Sequence, residues 1–430
     1  MSICVNLWLK NSYKIKFVRK AVVIEIQMGL VQRKLSKTFT KFFDSEKSSG
    51  ILLIVCTIIS LAFANSMLGA NYLSIWQMYV GGLSVEHWIN DGLMAIFFLL
   101  IGLELKRELR NGELSNFKNA LLPIFAAVGG IVAPALIHFA FNQGTPTQAG
   151  IGIPMATDIA FALGALALLG SRVPASLKVF VVAFAVIDDL CAIVIIAVFY
   201  TAKLSILHLI GALAVWALLA FANRFFKIKS LVPSLLAGAL MWFLMYQSGV
   251  HATIAGVLLA FAIPSSDLED DAESPSNRLE QALHFPVAFI ILPIFALCNT
   301  GIVIGADWAS NLMSANSSGI ILGLVLGKPF GIALASYFAV AVRICKLPLD
   351  LNWRHVFGAG LLGGIGFTMS IFITNLAFGG AAETINSSKM AILLASLTAG
   401  TLGFVWLKLF GAPEESDEDM DAMDYDITEI

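Results

Sequence analysis

The chain has 430 residues, of which 58% are hydrophobic and only 13% charged, and its mean hydropathy is +0.84. A soluble domain carries about 25% charged residues because its surface faces water. The composition therefore excludes a water-soluble fold and indicates a protein whose main solvent is lipid, while the formal net charge of −2 conceals an uneven distribution.

The first segment, residues 1–47, is basic. It carries ten lysines and arginines, opposed only by Glu25, Asp44 and Glu46. This pattern also occurs in nucleic-acid-binding arms, but ahead of an apolar chain it is typical of a terminus held at the anionic cytoplasmic leaflet. We therefore predict membrane lipid, and no nucleic acid, as the partner of this cytoplasmic segment.

Twelve apolar runs follow, and each is interpreted as a transmembrane helix because about 20 apolar residues span a bilayer. The runs are 49–66, 88–109, 119–141, 150–170, 175–200, 205–223, 231–247, 250–264, 284–300, 318–342, 355–378 and 387–410. The seventh and eighth are short and adjacent, which is also consistent with a tight pair of short helices. The predicted fold is an all-α integral membrane protein, with its membrane domain over residues 48–412.

The connections alternate in charge. Predicted inner loops and helix ends hold Lys106, Arg107, Arg110, Lys118, Arg172, Lys178, Arg224, Lys227, Lys229, Arg278, Arg343, Lys346 and Arg354, whereas the outer ones hold only Lys203 and Lys389. Because cytoplasmic loops carry an excess of lysine and arginine, this contrast predicts that both termini are cytoplasmic.

Three segments lie outside the apolar runs. Residues 67–87 contain no lysine or arginine, and Tyr72 to Val85, with Gly81 and Gly82 inside, is consistent with a small outer β-hairpin. Residues 265–277 are acidic and are interpreted as a linker between an eight-helix and a four-helix part. Residues 413–430 are strongly acidic and are predicted to be a disordered tail.

Two apolar runs contain helix breakers beside hydroxyl groups, at Gly150 to Asp158 and at Gly360 to Thr368. Each run is the middle member of a three-helix set, 119–200 or 318–410, and the two sets would have opposite topology. Paired interruptions in an inverted repeat mark the binding sites of several secondary transporters. The alternative is that these glycines only allow close helix packing.

Four charged residues lie in the middle of apolar runs, away from the ends of those runs: Asp158, Asp188, Asp189 and Lys328. Each carboxylate at the bilayer centre costs at least ~2.5–3.5 kcal/mol on insertion scales. A buried salt bridge that only fixes helix positions accounts for part of the set, since one lysine cannot neutralise three aspartates. We therefore interpret the cluster as functional.

The chemistry that suits this cluster is competition between a cation and protons. Na⁺ prefers oxygen ligands, which carboxylates, a threonine hydroxyl and backbone carbonyls at a helix break supply. Without the cation, burial and mutual repulsion favour protonation. A site that holds either a cation or protons becomes an exchanger if it faces each side in turn. Because adjacent helical residues point about 100° apart, one of Asp188 and Asp189 is expected to face the cation and the other Lys328.

Seven segments in a fixed order resemble the bacterial NhaA-type sodium–proton antiporters, from about residue 28 to residue 410. They are Trp88-Ile-Asn-Asp-Gly-Leu-Met-Ala, Gly102-Leu-Glu-Leu-Lys-Arg-Glu-Leu, Ala156-Thr-Asp-Ile-Ala-Phe-Ala-Leu-Gly, Ile187-Asp-Asp-Leu, Ser248-Gly-Val-His-Ala-Thr, Gly327-Lys-Pro and Gly364-Ile-Gly-Phe-Thr-Met-Ser. This family is one of those behind the rule about interrupted helices, so that rule is not independent support.

The resemblance implies twelve helices, with the fourth and eleventh broken and crossing near the membrane middle. It also implies that Asp189 is the main cation- and proton-binding carboxylate, that Asp188 pairs with Lys328, and that Thr157 and Asp158 lie at the crossing. The implied ligands of the transported Na⁺ are then Asp189, Asp158 and Thr157. At the crossing of the broken helices, Asp158 would offset the positive helix N-termini, and Lys328 would offset the negative helix C-termini.

The family's activity, as the resemblance implies it, is electrogenic exchange of Na⁺, and also Li⁺, for protons in the bacterial inner membrane. It is activated at alkaline pH and involves no cofactor and no enzymatic step. The segment 67–87 would serve a homodimer contact.

The implied pH-response residues are Glu104, Arg107, Glu108, Glu280 and His251. From the residues alone, the charged helix end at Glu104 to Glu108 is more typical of a solvated boundary. Gln281 stands where the family commonly has histidine, which leaves the pH of activation open. Residues 1–27 have no counterpart in the family, and Met28 is an alternative start.

Three rival functions fit the sequence less well. An intramembrane aspartyl protease would need a Gly-x-Gly-Asp pattern, which neither Asp158 nor Asp188 fits. A passive channel usually shows carboxylate rings from symmetric subunits or a carbonyl filter. An ATP-driven pump would need a GxxxxGK[ST] loop, and Pro329 stands where the hydroxyl residue belongs.

Overall fold

The computed structural model describes residues 48–200, 204–226, 230–265 and 274–412. The predicted basic segment 1–47 and acidic tail 413–430 lie outside the described residues, as does most of the predicted linker. The described part of the chain is helical apart from short connections and one two-stranded hairpin.

The elements before the predicted linker are α1 (Ser48–Ala64), α2 (Gly69–Gln77), β1 (Tyr79–Val80), β2 (Leu83–Ser84), α3 (Val85–Arg110), α4 (Phe117–Asn142), a 3₁₀ segment (Pro146–Met155), α5 (Ile159–Leu169), α6 (Ala175–Phe199), α7 (Ile206–Phe226), α8 (Val232–Ser248) and α9 (Ile254–Ala262). Those after it are α10 (Pro275–Asn299), α11 (Trp308–Leu312), α12 (Ala315–Ala341), α13 (Trp353–Gly363), α14 (Phe367–Ala377) and α15 (Ala382–Phe410).

Within the described residues, eight helices are long and apolar enough to cross a membrane, or ten if each of two bent pairs counts as one span. The bent pairs are α1 with α2, at 114°, and α13 with α14, at 46°. The short runs 231–247 and 250–264 form α8 and α9, of 17 and 9 residues. The multi-span character is confirmed, while the count of twelve and the inverted repeat stay predictions.

The hairpin is smaller than the predicted stretch from Tyr72 to Val85, because α2 extends to Gln77. Tyr79 pairs with Ser84 and Val80 with Leu83, and the turn between them is Gly81-Gly82. Both glycines have positive φ, 63° and 90°, which a two-residue turn of this hand requires. We call the end of the molecule that carries this turn the hairpin end.

The acidic linker is also shorter than predicted. Pro275 is the first residue of α10, and the Ser274 hydroxyl accepts a hydrogen bond from the Asn277 amide as the helix cap. Proline suits this position because its missing N–H has no partner in a first helical turn. We call the opposite end of the molecule, where α10 begins beside the end of α3, the Arg107 end, after the ion pair between Arg107 and Glu280.

The core lies where the helices of 117–199 pack against those of 315–410. Here α4 and α12 cross with their backbones in contact, since a Cβ on Gly331 would meet the Gly129 carbonyl. By contrast, large apolar residues of α7 are exposed at the surface of the molecule. The exposed fractions are 78% for Leu207, 70% for Leu218 and 74% for Phe226. This is the distribution that lipid, as the surrounding solvent, permits.

Candidate functional site

The first interrupted helix breaks between Met155 and Ile159, just after Pro154. Its leading half is a 3₁₀ segment that ends at Met155, residues 156–158 are extended, and α5 begins at Ile159. Proline cannot donate a backbone hydrogen bond and clashes with the preceding turn of an α-helix. Asp158 caps α5, because its Oδ1 accepts the Phe161 amide at 3.2 Å.

The second interrupted helix breaks between Gly363 and Phe367. The glycines of the break are required by close contacts. A Cβ on Gly364 would meet the Leu324 carbonyl, and one on Gly366 would meet the Ser370 hydroxyl. The helix is interrupted in this segment, with a 46° bend between its halves, and the glycines there also allow close approach.

The two breaks meet each other through hydrogen bonds. The Asp158 amide donates to the Ile365 carbonyl at 2.6 Å, and the Thr157 hydroxyl donates to the Gly363 carbonyl at 2.9 Å. Asp158 Oδ2 accepts both the amide of Thr368, at 3.0 Å, and the hydroxyl of the same residue. Two segments that lie about 200 residues apart in sequence therefore form one buried structure, in which Thr157 and Asp158 are 0% and 2% exposed.

The helix ends at this crossing are compensated by opposite charges. The Asp158 carboxylate accepts amide hydrogen bonds from the first turns of both α5 and α14, whose N-termini carry partial positive charge. The Lys328 ammonium donates to the carbonyl of Met155, the last residue of the 3₁₀ segment, where the partial charge is negative.

Lys328 also forms a buried ion pair. It follows a π-helical turn, Gly323–Gly327, in α12, and its Nζ lies 2.7 Å from Asp188 Oδ2 on α6. The two side chains are 1% and 2% exposed. The residues alone left open which neighbouring aspartate meets the lysine, the family resemblance implied Asp188, and the structure places Lys328 against Asp188.

Asp189 is buried without a hydrogen-bond partner. Its residue is 1% exposed, and neither carboxylate oxygen has a partner among the described residues. It lies close enough to Asp158, Asp188 and Lys328 to interact with them electrostatically. A buried carboxylate without partners is costly unless it binds a proton or a cation.

The three predicted Na⁺ ligands are not equivalent. Among the described residues neither Asp189 oxygen has a hydrogen-bond partner, whereas the Asp158 oxygens accept hydrogen bonds from Phe161 and Thr368. The Thr157 hydroxyl donates a hydrogen bond to the Gly363 carbonyl, so the lone pairs of its oxygen remain available to a cation. Across the described parts of the chain, no group of three or more histidine, cysteine, aspartate or glutamate side chains is arranged to hold a metal ion.

Four of the predicted pH-response residues lie together at the Arg107 end. Arg107 pairs with Glu280 across α3 and α10, and its Nη2 lies 3.3 Å from Glu108 Oε1. Glu104, one turn earlier on α3, interacts electrostatically with these three residues and with Asp189. Glu280 Oε2 has no hydrogen-bond partner in the described structure.

His251, the fifth predicted pH-response residue, lies elsewhere. Its Nε2 is 3.1 Å from the Tyr200 carbonyl, and its charged neighbours are Asp91 and His87, near the start of α3. Asp91 and Glu104 are 13 residues apart on that helix, a rise of about 20 Å. His251 therefore belongs to the hairpin end and is not part of the Glu104 cluster.

Two features of the site region were missed from the sequence. Lys106, interpreted as part of a solvated boundary, is 5% exposed, and its ammonium donates to the carbonyls of Ala260 and Ile263 at the end of α9. Asn90, Asn299 and Asn375 form a chain of amide hydrogen bonds between α3, α10 and α14. The sequence did contain a signal for these three residues, because each is an asparagine inside an apolar run. Asparagine side chains in membrane helices form hydrogen bonds across helices.

The model of the family described as Na⁺/H⁺ antiporter 1 matches residues 40–407. Similar proteins named Na(+)/H(+) antiporter NhaA include one from Dechloromonas aromatica (strain RCB), 68% identical over 383 residues that cover 89% of this chain and 98% of the relative. One from Cytophaga hutchinsonii is 57% identical over 376 residues, covering 87% and 96%. One from Vibrio parahaemolyticus is 48% identical over 379 residues, covering 88% and 98%. These names describe transporters and no enzyme.

Proposed function

Since this chain belongs to the Na⁺/H⁺ antiporter 1 family, we propose that it exports Na⁺ from bacteria in exchange for protons. Family membership and the long apolar helices make it a multi-pass bacterial membrane protein. The proposed site is the crossing of the two interrupted helices together with Asp188 and Asp189 of α6.

The observation that carries the proposal is the pair of unpartnered oxygens on Asp189. A carboxylate in this position binds a proton or a hard cation, and it cannot hold both at full strength. Lone pairs of the Thr157 hydroxyl and Asp158 would complete the oxygen ligands that Na⁺ prefers. Competition for these ligands couples the export of one ion to the import of the other.

The ion pair beside this carboxylate supports a link between binding and conformation. Lys328 bonds both to Asp188 and to the Met155 carbonyl at the helix break. A cation bound by Asp189 adds positive charge next to Lys328 and weakens the hold of that ammonium on its partners. The helix break after Met155 could then change its conformation. The site with its bound cation would thereby become accessible from the other side of the membrane.

We further propose a net charge movement, a pH dependence and an orientation in the membrane for this exchange. Exchange is electrogenic, includes Li⁺, and is switched on at alkaline pH through Glu104, Arg107, Glu108 and Glu280. The protein lies in the inner membrane with both termini cytoplasmic, so the hairpin end faces outward and the Arg107 end inward. A homodimer forms through the hairpin region, and anionic lipid contacts residues 1–47.

Proton flux in liposomes tests the exchange. The purified protein is reconstituted with an acidic interior, Na⁺ is added outside, and the internal pH is followed while the external pH is scanned over roughly 6 to 9. We expect Na⁺ to collapse the gradient with the parent protein and not with Asp189→Asn. The control is Asp307→Asn, the same substitution at an exposed acid just before α11, away from the crossing.

Asp307→Asn should exchange like the parent, and unfolding in detergent shows whether Asp189→Asn is folded. A gradient that survives Na⁺ in the parent across the whole scan contradicts antiport. Equal exchange by the parent and Asp189→Asn contradicts the assignment of Asp189. Li⁺ and K⁺ additions to the active protein then define the cation preference.

A further inference from the structure

Three asparagines join three helices at the hairpin end, and we call them the amide layer: Asn90 on α3, Asn299 on α10 and Asn375 on α14. The Asn299 amide donates to Asn90 Oδ1 at 2.8 Å, and the Asn375 amide donates to Asn299 Oδ1 at 2.6 Å. Asn299 is 1% exposed and also donates to the Phe295 carbonyl at 3.1 Å. The central amide therefore has partners on both sides, and Asn90 lies in a π-helical turn, a feature frequent at functional sites.

The same three helices supply a layer of aromatic rings, the phenylalanine layer: Phe98 on α3, Phe295 on α10 and Phe372 on α14. Phe372 lies 5.7 Å from Phe98 and 6.5 Å from Phe295 between ring centroids, and each ring is at most 1% exposed. On each helix the asparagine lies closer to the hairpin end than the phenylalanine does. The separation is eight residues on α3, four on α10 and three on α14. At about 1.5 Å per residue, the amide layer lies outside the phenylalanine layer on all three helices.

Both layers lie between the helix crossing and the hairpin end. On α14, Thr368 binds Asp158, and Phe372 and Asn375 follow it four and seven residues later. Residues at this spacing share one helix face. Both layers therefore close the space between α3, α10 and α14 on the side of the crossing that faces the hairpin end.

We propose that the amide layer is a latch that closes the ion path at the hairpin end and opens reversibly during each transport cycle. This inference rests on the proposed exchange function. Neutral amides suit a latch, because water can replace each of their hydrogen bonds when the helices separate, so that opening has a small net cost. The phenylalanine layer excludes water while the latch is closed.

A permanent link across the latch tests whether it must open. In a background with its five cysteines replaced, Asn299→Cys and Asn375→Cys are joined by a short bifunctional thiol reagent that forms reducible bonds. We expect the link to lower Na⁺-driven proton flux at least about tenfold and reduction to restore it, because a linked latch cannot release. The matched control links Asn223→Cys to Ser234→Cys, a contact of 3.5 Å between α7 and α8, and should leave the flux unchanged.

The outcomes separate this inference from the function on which it rests. If the parent exchanges and the linked latch exchanges as fast, the latch is overturned while antiport stands. If the parent does not exchange Na⁺ for protons, the result contradicts the proposed function on which the latch rests. If the double cysteine variant is inactive even when reduced, the labelling test decides.

Labelling of Cys298 reports opening without reference to activity. This residue adjoins Asn299, is 8% exposed, and lies near Glu86 and Lys389 at the hairpin end. With Cys298 as the single cysteine, Asn375→Ala should raise its rate of reaction with a membrane-impermeant thiol reagent from outside roughly fivefold, the effect of one hydrogen bond on an equilibrium.

The control for labelling is Asn142→Ala, which removes another buried amide that bonds across helices, to the Ala315 carbonyl at 3.2 Å. It should not change the reaction of Cys298. Equal labelling rates in Asn375→Ala, Asn142→Ala and the parent overturn the latch, because the amide layer is then a static contact.

Discussion

Asp188 and Asp189 are neighbours on α6 with opposite surroundings. Asp188 is bonded to Lys328, whereas both Asp189 oxygens are without a hydrogen-bond partner in the described structure. The first arrangement favours a fixed charge, and the second favours exchange of whatever occupies the carboxylate. In the proposed function, one helical step of about 100° separates a structural role for Asp188 from a transporting role for Asp189.

The ion pair leads to a stability prediction. Lys328→Met leaves Asp188 as an uncompensated buried charge and should lower the free energy of unfolding by about 3–5 kcal/mol. Adding Asp188→Asn removes that charge and should restore part of the loss. The measurement is tryptophan-detected unfolding in detergent for the parent, both single variants and the double variant. Strictly additive losses would mean that the two side chains do not interact.

A second residue-scale prediction concerns pH. Glu280→Gln keeps the shape of the side chain beside Arg107 but removes one titrating group from the Glu104 cluster. Exchange should then rise less steeply with pH over roughly 6 to 9. Initial exchange rates in liposomes measure this profile, with Glu383→Gln, an exposed acid at the hairpin end, as control. Identical profiles for Glu280→Gln and the parent would remove Glu280 from the pH response.

Much of the site could be predicted from single residues. Asp158, Asp188, Asp189 and Lys328 were identifiable because charge is rare and costly inside apolar runs. The residues alone did not decide which aspartate pairs with Lys328, since that depends on how α6 is rotated against α12, but the family resemblance implied Asp188. The place of His251 was likewise hidden, because a loop position does not reveal which helix end it faces.

At the scale of elements, α4 and α12 depend on two glycines. A Cβ on Gly331 would meet the Gly129 carbonyl, which is backbone and cannot move cheaply. Gly331→Ala should therefore cost about 1–3 kcal/mol of stability. Gly211→Ala is the control, since its nearest neighbour is a Leu244 methyl at 3.6 Å, and alanine there adds up to about 1 kcal/mol of helix propensity. Unfolding in detergent compares the two, and equal losses would contradict the close crossing.

The long helices were predictable and the irregular elements were not. The runs 119–141 and 175–200 correspond to Phe117–Asn142 and Ala175–Phe199, because a spanning segment must satisfy its backbone within one helix. The 3₁₀ segment before Asp158 also depends on a distant partner, as the Ser370 hydroxyl donates to the Ile153 carbonyl at 2.7 Å. A local sequence pattern cannot contain that contact.

At the scale of the whole molecule, the proposed orientation can be measured directly. In a cysteine-free background, Asp307→Cys near α11 should react with an impermeant thiol reagent added outside intact cells, because it lies with the hairpin end. Lys346→Cys, in the exposed connection after α12, should react only after the membrane is opened. Labelling of both positions from the same side would contradict the proposed arrangement of the two ends.

The family and the membrane character were predictable at this scale, and both are confirmed. Seven short segments in a fixed order identify the family more securely than any one of them. The number of crossings stays a prediction, since α8 and α9 are too short to decide it by length. The ends of the chain lie outside the described residues, so the basic segment and acidic tail also stay predictions.

The crossing of the two interrupted helices has a consequence for biosynthesis. Asp188 and Asp158 emerge from the ribosome 140 and 210 residues before their partners Lys328 and Thr368. At about 5–20 residues per second, Asp158 waits roughly 10 to 40 s for Thr368. During that interval the first half of the protein holds uncompensated carboxyls in the bilayer. A chain that terminates before residue 328 should therefore be recognised by membrane quality control and degraded, even though its first six long helices are complete.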